Sequence, residues 1–300
     1  MDKLVSVIIP TYSRPEYITR AIESVLKQSY KPIEIIVVDD NGRGTENQIL
    51  TEKVLSNFIK ENAINYIVHE CNKNGSAARN TGANSCHGDY VTFLDDDDVL
   101  LPEKIKKQVT AIEQNPEYAA AYTGFKIIQH THTLKEVIPT KKGCLHYELL
   151  ALTWGLGTGS NPLYKKSAFD SIKGFDESFV RHQDLEFLVR FFRKHSIVNI
   201  PEVLIDRYID SRINSVNYEK FILVKNKFLA EFKGDISKYS QNEQKIIYRN
   251  QYADIACHAM QAKAYKTAFQ YYKKANSYKA LSLKIIVKAI LYGFMGRRVE

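Results

Sequence analysis

Four consecutive carboxylates, Asp95 to Asp98, end an apolar run, Tyr90 to Leu94. Adjacent carboxylates raise one another's pKa and cost stability unless a cation neutralises them. A hard divalent ion does this, and Mg²⁺ or Mn²⁺ needs only one or two protein carboxylates when phosphate oxygens complete its shell. An EF-hand is excluded, because its Gly and its downstream Glu are missing at the required spacings. Acids ahead of Pro102 would also complement a helix N-terminus, which accounts for one or two of the four. A second acidic pair, Asp39-Asp40, ends the apolar run Ile33 to Val38; with Asn41-Gly42 it reads, taken alone, as a turn. The stretch from Asn74 to Asn80 (NGSAARN) reads as a capped helix start. It places Arg79 one turn inside that helix, where it can pair with the acidic edge or a phosphate.

The elements that must position these groups alternate in period. Leu4 to Ile9 reads as a buried strand ended by Pro10. Ser13 and Glu16 form a capping-box pattern with Pro15 in the first helical turn, and Ile18, Ala21, Ile22, Val25 and Leu26 recur at helical spacing. A strand at 33–38, a helix over about 48–62, a strand at 64–68, a helix over 76–87 and a strand at 90–94 follow. Such alternation implies right-handed crossovers and a mainly parallel sheet. Both acid clusters fall at carboxyl ends of strands, the edge where open α/β sheets bind ligands. Further on, the pattern predicts a helix to about Gln114, a strand over 119–125, a hairpin or loop over 130–145 and a Gly-rich segment, WGLGTGSN, over 154–161. An amphipathic helix over 184–195 follows, and helices rich in Lys and Tyr run from about Asn217, with a helical hairpin over 252–274.

The chain has 300 residues and 44% hydrophobic content, enough for a sizeable core without disulfides or a structural metal. Collagen-like, low-complexity and disordered classes are excluded. The four cysteines lie far apart with no CxxC pair, which reads as reduced thiols. Residues 201–300 carry 18 Lys+Arg against 9 Asp+Glu, a formal +9; the totals of 42 and 34 leave 24 against 25 for residues 1–200. The basic excess therefore belongs to the last third, which favours an anionic partner or is simply a solvated helical surface. No secretory signal or apolar stretch of membrane-spanning length is recognised, so a cytoplasmic protein is expected.

Four segments in order carry a family resemblance: VSVIIPTYSRPEYITRAIESVLKQSY, IEIIVVDDNG, NGSAARNTG and YVTFLDDDDVLLPEKI. They resemble the nucleotide-sugar-binding half of the family 2 inverting glycosyltransferases. Residues 161–190, with Gly-Phe-Asp-Glu ahead of Gln183-Asp184, look like the acceptor half. The resemblance implies a GT-A fold: a Rossmann-like, mainly parallel central sheet flanked by helices. The nucleotide-sugar half would span 1–110, the acceptor half 111–210, and a basic helical appendage 217–300. By the same resemblance, Pro10, Thr11, Tyr12 and Arg14 pack on the nucleotide, and Asp40 accepts from the base edge, usually uracil. Arg79 contacts the nucleotide and the acids, Asp95 and Asp96 face ribose and diphosphate, Asp97 binds Mn²⁺ or Mg²⁺, and Asp184 is the catalytic base. The family usually has Glu where this chain has Gln183. Trp154 and His182 are candidate acceptor contacts, each with an ordinary structural reading beside it.

The expected activity is metal-dependent transfer of a sugar from a nucleotide-diphospho-sugar, a UDP-sugar above others. The acceptor would be a glycan or lipid-linked hydroxyl in surface polysaccharide synthesis. The rivals are a nucleotidyltransferase and a non-catalytic nucleotide- or glycan-binding scaffold. The first would carry a Gly-rich phosphate loop after the first strand, and Pro10 to Arg14 is not one. No nucleic-acid recognition motif accompanies the bulk charge. Residues 281–298 mix apolar and basic side chains, which suits either peripheral contact with an anionic membrane at the inner face of the cell or packing on their own domain.

Overall fold

A computed structural model describes residues 2–209 and 217–280. Its elements run in the order β1 (Val5–Thr11), α1 (Pro15–Leu26), β2 (Ile33–Asp39), α2 (Glu46–Lys60), β3 (Asn65–Val68), α3 (Gly75–Asn84), β4 (Tyr90–Phe93) and β5 (Val99–Leu100). Next come α4 (Lys104–Gln114), β6 (Ala120–Gln129), β7 (His132–Val137), α5 (His146–Leu150), β8 (Leu163–Lys165), α6 (Lys166–Ser171), α7 (Gln183–Phe192) and β9 (Ile197–Tyr208). The last are α8 (Tyr218–Glu231), α9 (Lys233–Ile236), α10 (Gln241–Gln261) and α11 (Tyr265–Tyr278). By compactness the chain divides in two. One unit holds the residues up to Leu145 and those from Leu156 through the end of the sheet; the other joins His146–Gly155 to the helices α8–α11. Residues 146–155, which the sequence places in the acceptor half, thus go with the helical unit.

In the first unit one sheet runs β3-β2-β1-β4-β8-β6-β9-β5, with β7 added to β6. The strands from β3 to β4 are parallel, as the alternating periodicity predicts; β8 then runs antiparallel to both β4 and β6. The chain moves from β1 outward to β2 and β3 and returns on the other side of β1 as β4. The topological switch point therefore lies between β1 and β4. Their pairing stops at Ile8 with Phe93, while β1 continues beside β2 to Thr11 opposite Asp39. Pro10 extends the strand rather than ending it. Its missing N–H would point to the β4 side, past the last pair there, so no ladder bond is lost.

Helices cover both faces. On one, Ile18, Ile22 and Val25 of α1 and Ile105, Val109 and Ile112 of α4 join Val5, Val7, Ile9, Val37 and Leu94 in the core. On the other, α3 comes so close to β1 that a Cβ on Gly82 would sit 2.4 Å from Ile8 Cγ2. There Phe93, Phe169, Phe175 and Phe187 stack at 4.6–5.9 Å between ring centroids and seat α7. The Ser13–Glu16 capping box does not form: Arg14 occupies the N-cap position and Ser13 takes a positive φ, its N–H donating to Asn41 Oδ1.

In the helical unit, Asn217 caps α8, and Ser240 with Glu243 forms a capping box on α10. α10 and α11 make the expected helical hairpin: Ala268 and Ala275 of α11 and Ala256 of α10 are enclosed, and the Tyr252 ring of α10 lies 6.1 and 5.6 Å from those of Tyr271 and Tyr278. Inside this unit the Lys225 ammonium donates to Gln251 Oε1 and pairs with Asp254, both at 2.9 Å.

Candidate active site

The acids do gather at the switch point, but the run Asp95–Asp98 splits into two kinds of carboxylate. Asp96 and Asp98 are 1% and 2% exposed. Thr11 donates to Asp96 Oδ2 at 2.9 Å, and Arg14 forks between Asp96 and Asp97. Thr158 and Ser160 donate to Asp98 Oδ2 at 2.7 and 2.6 Å. Asp95 and Asp97 instead keep 30% and 24% of their side chains exposed. Two members of the run thus have structural duties, tying β4's end to the loop after β1 and to the Gly-rich segment. Burial pushes the Asp96 carboxyl up to about 7 against the pull of Arg14, with Asp97 and Asp95 adding repulsion. Burial also raises Asp97 and Asp98, Arg14 opposing the first and Asp95 reinforcing the second.

Asp40 follows β2 directly and is enclosed. His69 Nδ1 lies 2.7 Å from its Oδ1, which also accepts from Lys73 N at 2.8 Å; Asn72 Nδ2 and Asn74 N donate to Oδ2 at 2.8 and 2.9 Å. A carboxylate offers about four acceptor positions, and here all four are taken. Both carboxylates thus hold loops: Asp40 through His69, Asn72, Lys73 and Asn74, and Asp96 through Thr11 and Arg14. Asp40 fastens residues 69–74 to the end of β2, and Asp39 is buried behind it, bound by Tyr66 and Asn41. Tyr12 is 53% exposed, while Thr11 is buried and Pro10 and Arg14 are partly exposed.

Arg79 connects the two halves of the site. Its Nη2 lies 2.6 Å from Asp95 Oδ1, and its Nη1 donates to Gln183 Oε1 at 3.0 Å. Gln183 starts α7, and Asp184 follows it. Gly75 makes the approach possible, since a Cβ there would sit 3.0 Å from Arg79 Nη1 and 3.3 Å from Gln183 Oε1. A Cβ on Gly159 would lie 3.4 Å from each Asp184 oxygen, so the Gly-rich segment passes over this carboxylate. Burial raises the Asp184 carboxyl above the usual carboxylate range; Arg79 draws it down and Asp95 pushes it up. Burial works against the Arg79 charge as well, but Asp95, Asp184 and Asp96 keep it protonated. Asp184 does not cap α7: that position is His182, at φ 58°. Trp154 is half-buried and belongs to the helical unit.

Several members of the site carried no local signal. Arg20 of α1 donates to the Asp97 carbonyl at 2.7 Å and lies 3.8 Å over the Tyr208 ring. Thr158 and Ser160 are about sixty residues from the acid they hold. Asn161, fully buried, bonds the backbone of Thr123 and Leu156 and so fixes the Gly-rich segment.

Among the described residues no three His, Cys, Asp or Glu side chains converge as a complete metal cage. The donor set fits a different kind of ion site. Asp97 and Asp95 are two accessible hard oxygen donors in a crowded acidic loop, which suits a divalent cation completed by water and diphosphate oxygens. Residues 281–298, with their expected membrane contact, lie outside the described residues. Among those described, no helix is long and apolar enough to cross a membrane.

Residues 6–173 match the model of glycosyl transferase family 2. The amylovoran biosynthesis glycosyltransferase AmsB of Erwinia amylovora is 34% identical over 192 residues, 62% of each chain, so this chain spans less than two thirds of that relative. Among solved structures, S. aureus TarS 1–349 in complex with UDP-GlcNAc superposes with a TM-score of 0.58 at 16% identity, covering 99% of this chain and 93% of that one. The Pyrobaculum calidifontis mannosyltransferase PcManGT, in complex with GDP-Man and Mn²⁺, gives 0.60 at 17%, covering 94% and 77%. These likenesses show the fold expected from the sequence, a mixed α/β GT-A architecture. With a family match over more than half its length, the chain belongs to glycosyl transferase family 2.

Proposed function

We propose that the chain moves a sugar from a nucleotide-diphospho-sugar to a hydroxyl of a glycan or lipid-linked acceptor, with inversion at the transferred carbon. A UDP-sugar is the donor this reading favours; the TarS complex with UDP-GlcNAc and the GDP-Man complex of PcManGT mark nucleotide sugars as ligands of similar folds. A place in surface polysaccharide synthesis is what the sequence resemblance implies, and the Erwinia relative is named for amylovoran biosynthesis. The observation that carries the reading is the Arg79 bridge, which sets the strand-end acids beside a carboxylate of raised pKa on a separate helix.

In this reading Tyr12 and the loop fastened by Asp40 receive the base. Asp97, with Asp95, holds Mn²⁺ or Mg²⁺ together with the diphosphate. When bound, that ion offsets the negative charge developing on the departing diphosphate. Arg14, the counter-charge of Asp96 and Asp97, stays beside the phosphates. Asp184 accepts the proton of the acceptor hydroxyl as its oxygen bonds to C1 and the C1–O bond to the diphosphate breaks. A base and a leaving group on opposite faces of the sugar give a single displacement, hence inversion. His182, at the turn into α7, is the acceptor contact this geometry favours.

The test is Asp184→Asn. It is expected to bind donor as the wild type does, by calorimetry, and to lose about 10²–10⁴-fold in turnover. Turnover equal to wild type would remove Asp184 as the base.

A further inference from the structure

Helix α11 rests Ala268, Ala275, Tyr271 and Tyr278 against its own unit and turns two large rings outward: Tyr265 is 58% and Phe269 57% exposed. At about 100° per residue, Tyr272, Tyr265, Phe269, Lys273 and Lys266 fall within an arc of about 120°. Lys266 and Lys273 are exposed, the Lys273 ammonium standing 4.7 Å from the Phe269 ring centroid. More than half of each ring faces water, on successive turns of one helix face, and exposed apolar groups gathered in this way are the mark of an interaction surface.

The charge says what kind. Between Asp254 and Glu300 the sequence has nine Lys and Arg and no acid, and α11 leads straight into the apolar and basic sequence LSLKIIVKAILYGFMGRR. A neutral glycan has no need of this charge. Rings flanked by lysines on a convex helix face match the boundary between acyl chains and anionic headgroups, where Tyr and Phe sit at the interface and Lys reaches the phosphates. We propose that this face of α11, through Tyr265, Phe269, Lys266 and Lys273, docks on an anionic lipid bilayer. The surface is independent of the transfer reaction and is tested without it.

The experiment is co-flotation of the full chain with vesicles of phosphatidylcholine alone or mixed with phosphatidylglycerol. The wild type is expected to float with the mixed vesicles, to stay behind with pure phosphatidylcholine, and to dissociate as salt rises. Each lysine near an anionic surface contributes about fivefold, so Lys266→Glu with Lys273→Glu should weaken partition by about 25-fold or more. Phe269→Ser should weaken it with the charge intact. Both variants alter exposed side chains, and circular dichroism should match wild type; Lys266→Gln with Lys273→Gln serves if the reversal perturbs the helix. Variants that float as well as wild type would place the contact outside α11 and overturn the proposal. So would equal binding to both vesicles, no binding to either, or a soluble dimer dissolved by Phe269→Ser.

Discussion

Gln183 shows how one neutral side chain can set the chemistry of its neighbour. Its amide oxygen accepts from Arg79, which leaves the guanidinium charge to Asp95 and Asp184. The groups facing Asp184 are Arg79 from α3, Asp95 from the end of β4 and Tyr164 from β8, with Gly159 passing over it. A carboxylate at position 183 would add a second anion there, favour protonated Asp184 and draw Arg79 off Asp95. In its proposed role as base, Asp184 would work only when ionised, so activity is expected to fall as pH drops through its pKa, which burial already raises above the usual range. Gln183→Glu is therefore expected to move the acid limb of the kcat–pH profile to higher pH. An unmoved or lowered limb would contradict this. The residue types of Asp97, Arg79 and Asp184 were legible in the sequence, as was their ordered spacing. The division of the Asp95–Asp98 run was not, because it depends on Thr11, Arg14, Thr158 and Ser160, none of which is its neighbour in the chain. Asp40 likewise reads as a turn residue until His69, Asn72 and Asn74 are folded against it.

Among elements, the pair β1 and β4 makes the site by parting. Their ladder ends at Ile8 and Phe93, and the crevice beyond receives the loop at Pro10–Arg14 and the acids at 95–98. The sequence foretold this edge because each apolar run stops at carboxylates. It foretold α1 and α3 within a few residues, but not that Arg14, rather than Ser13, would stand at the N-cap: the pull of Asp96 and Asp97 on Arg14 is a tertiary interaction that overrides the local capping pattern. Close approach of α3 to β1 is what places Arg79, and Gly82 permits it. Gly82→Ala would drive a methyl to 2.4 Å from Ile8 Cγ2. Overpacking of this kind costs about 1–3 kcal/mol, which urea unfolding should register as a lower midpoint with an unchanged slope. Because Arg79 rides on the same helix, donor affinity should fall too; a variant as stable as wild type would show that α3 has slack the geometry denies.

At the scale of the molecule, stability and function share one buried region. Lys104 is fully enclosed at the start of α4, donating to Gln108 Oε1 at 3.0 Å, and burial lowers its pKa to about 7 despite the attraction of Asp98. Between about 7 and the ordinary lysine value near 10.4, the folded chain binds fewer protons here than the unfolded chain. Stability from this group therefore rises with pH across that window, by up to about 1.4 kcal/mol per unit, and below pH 7 the full cost of a buried charge is felt. The stability of wild type relative to Lys104→Met should climb with pH over that range; a flat difference would contradict the assignment. The basic last third was legible as composition, yet the allotment of 146–155 to the helical unit was not, since it rests on bonds such as Gln251 Nε2 to the Leu150 carbonyl, over a hundred residues apart. The account as a whole stands on a nucleotide diphosphate held through Asp97. Calorimetric titration of UDP into wild type and Asp97→Asn, with and without Mn²⁺, tests that most directly. Mn²⁺ is predicted to tighten UDP binding to wild type at least about tenfold, a difference of about 1.4 kcal/mol, and to leave Asp97→Asn unchanged. Equal UDP affinity in all four titrations would contradict it.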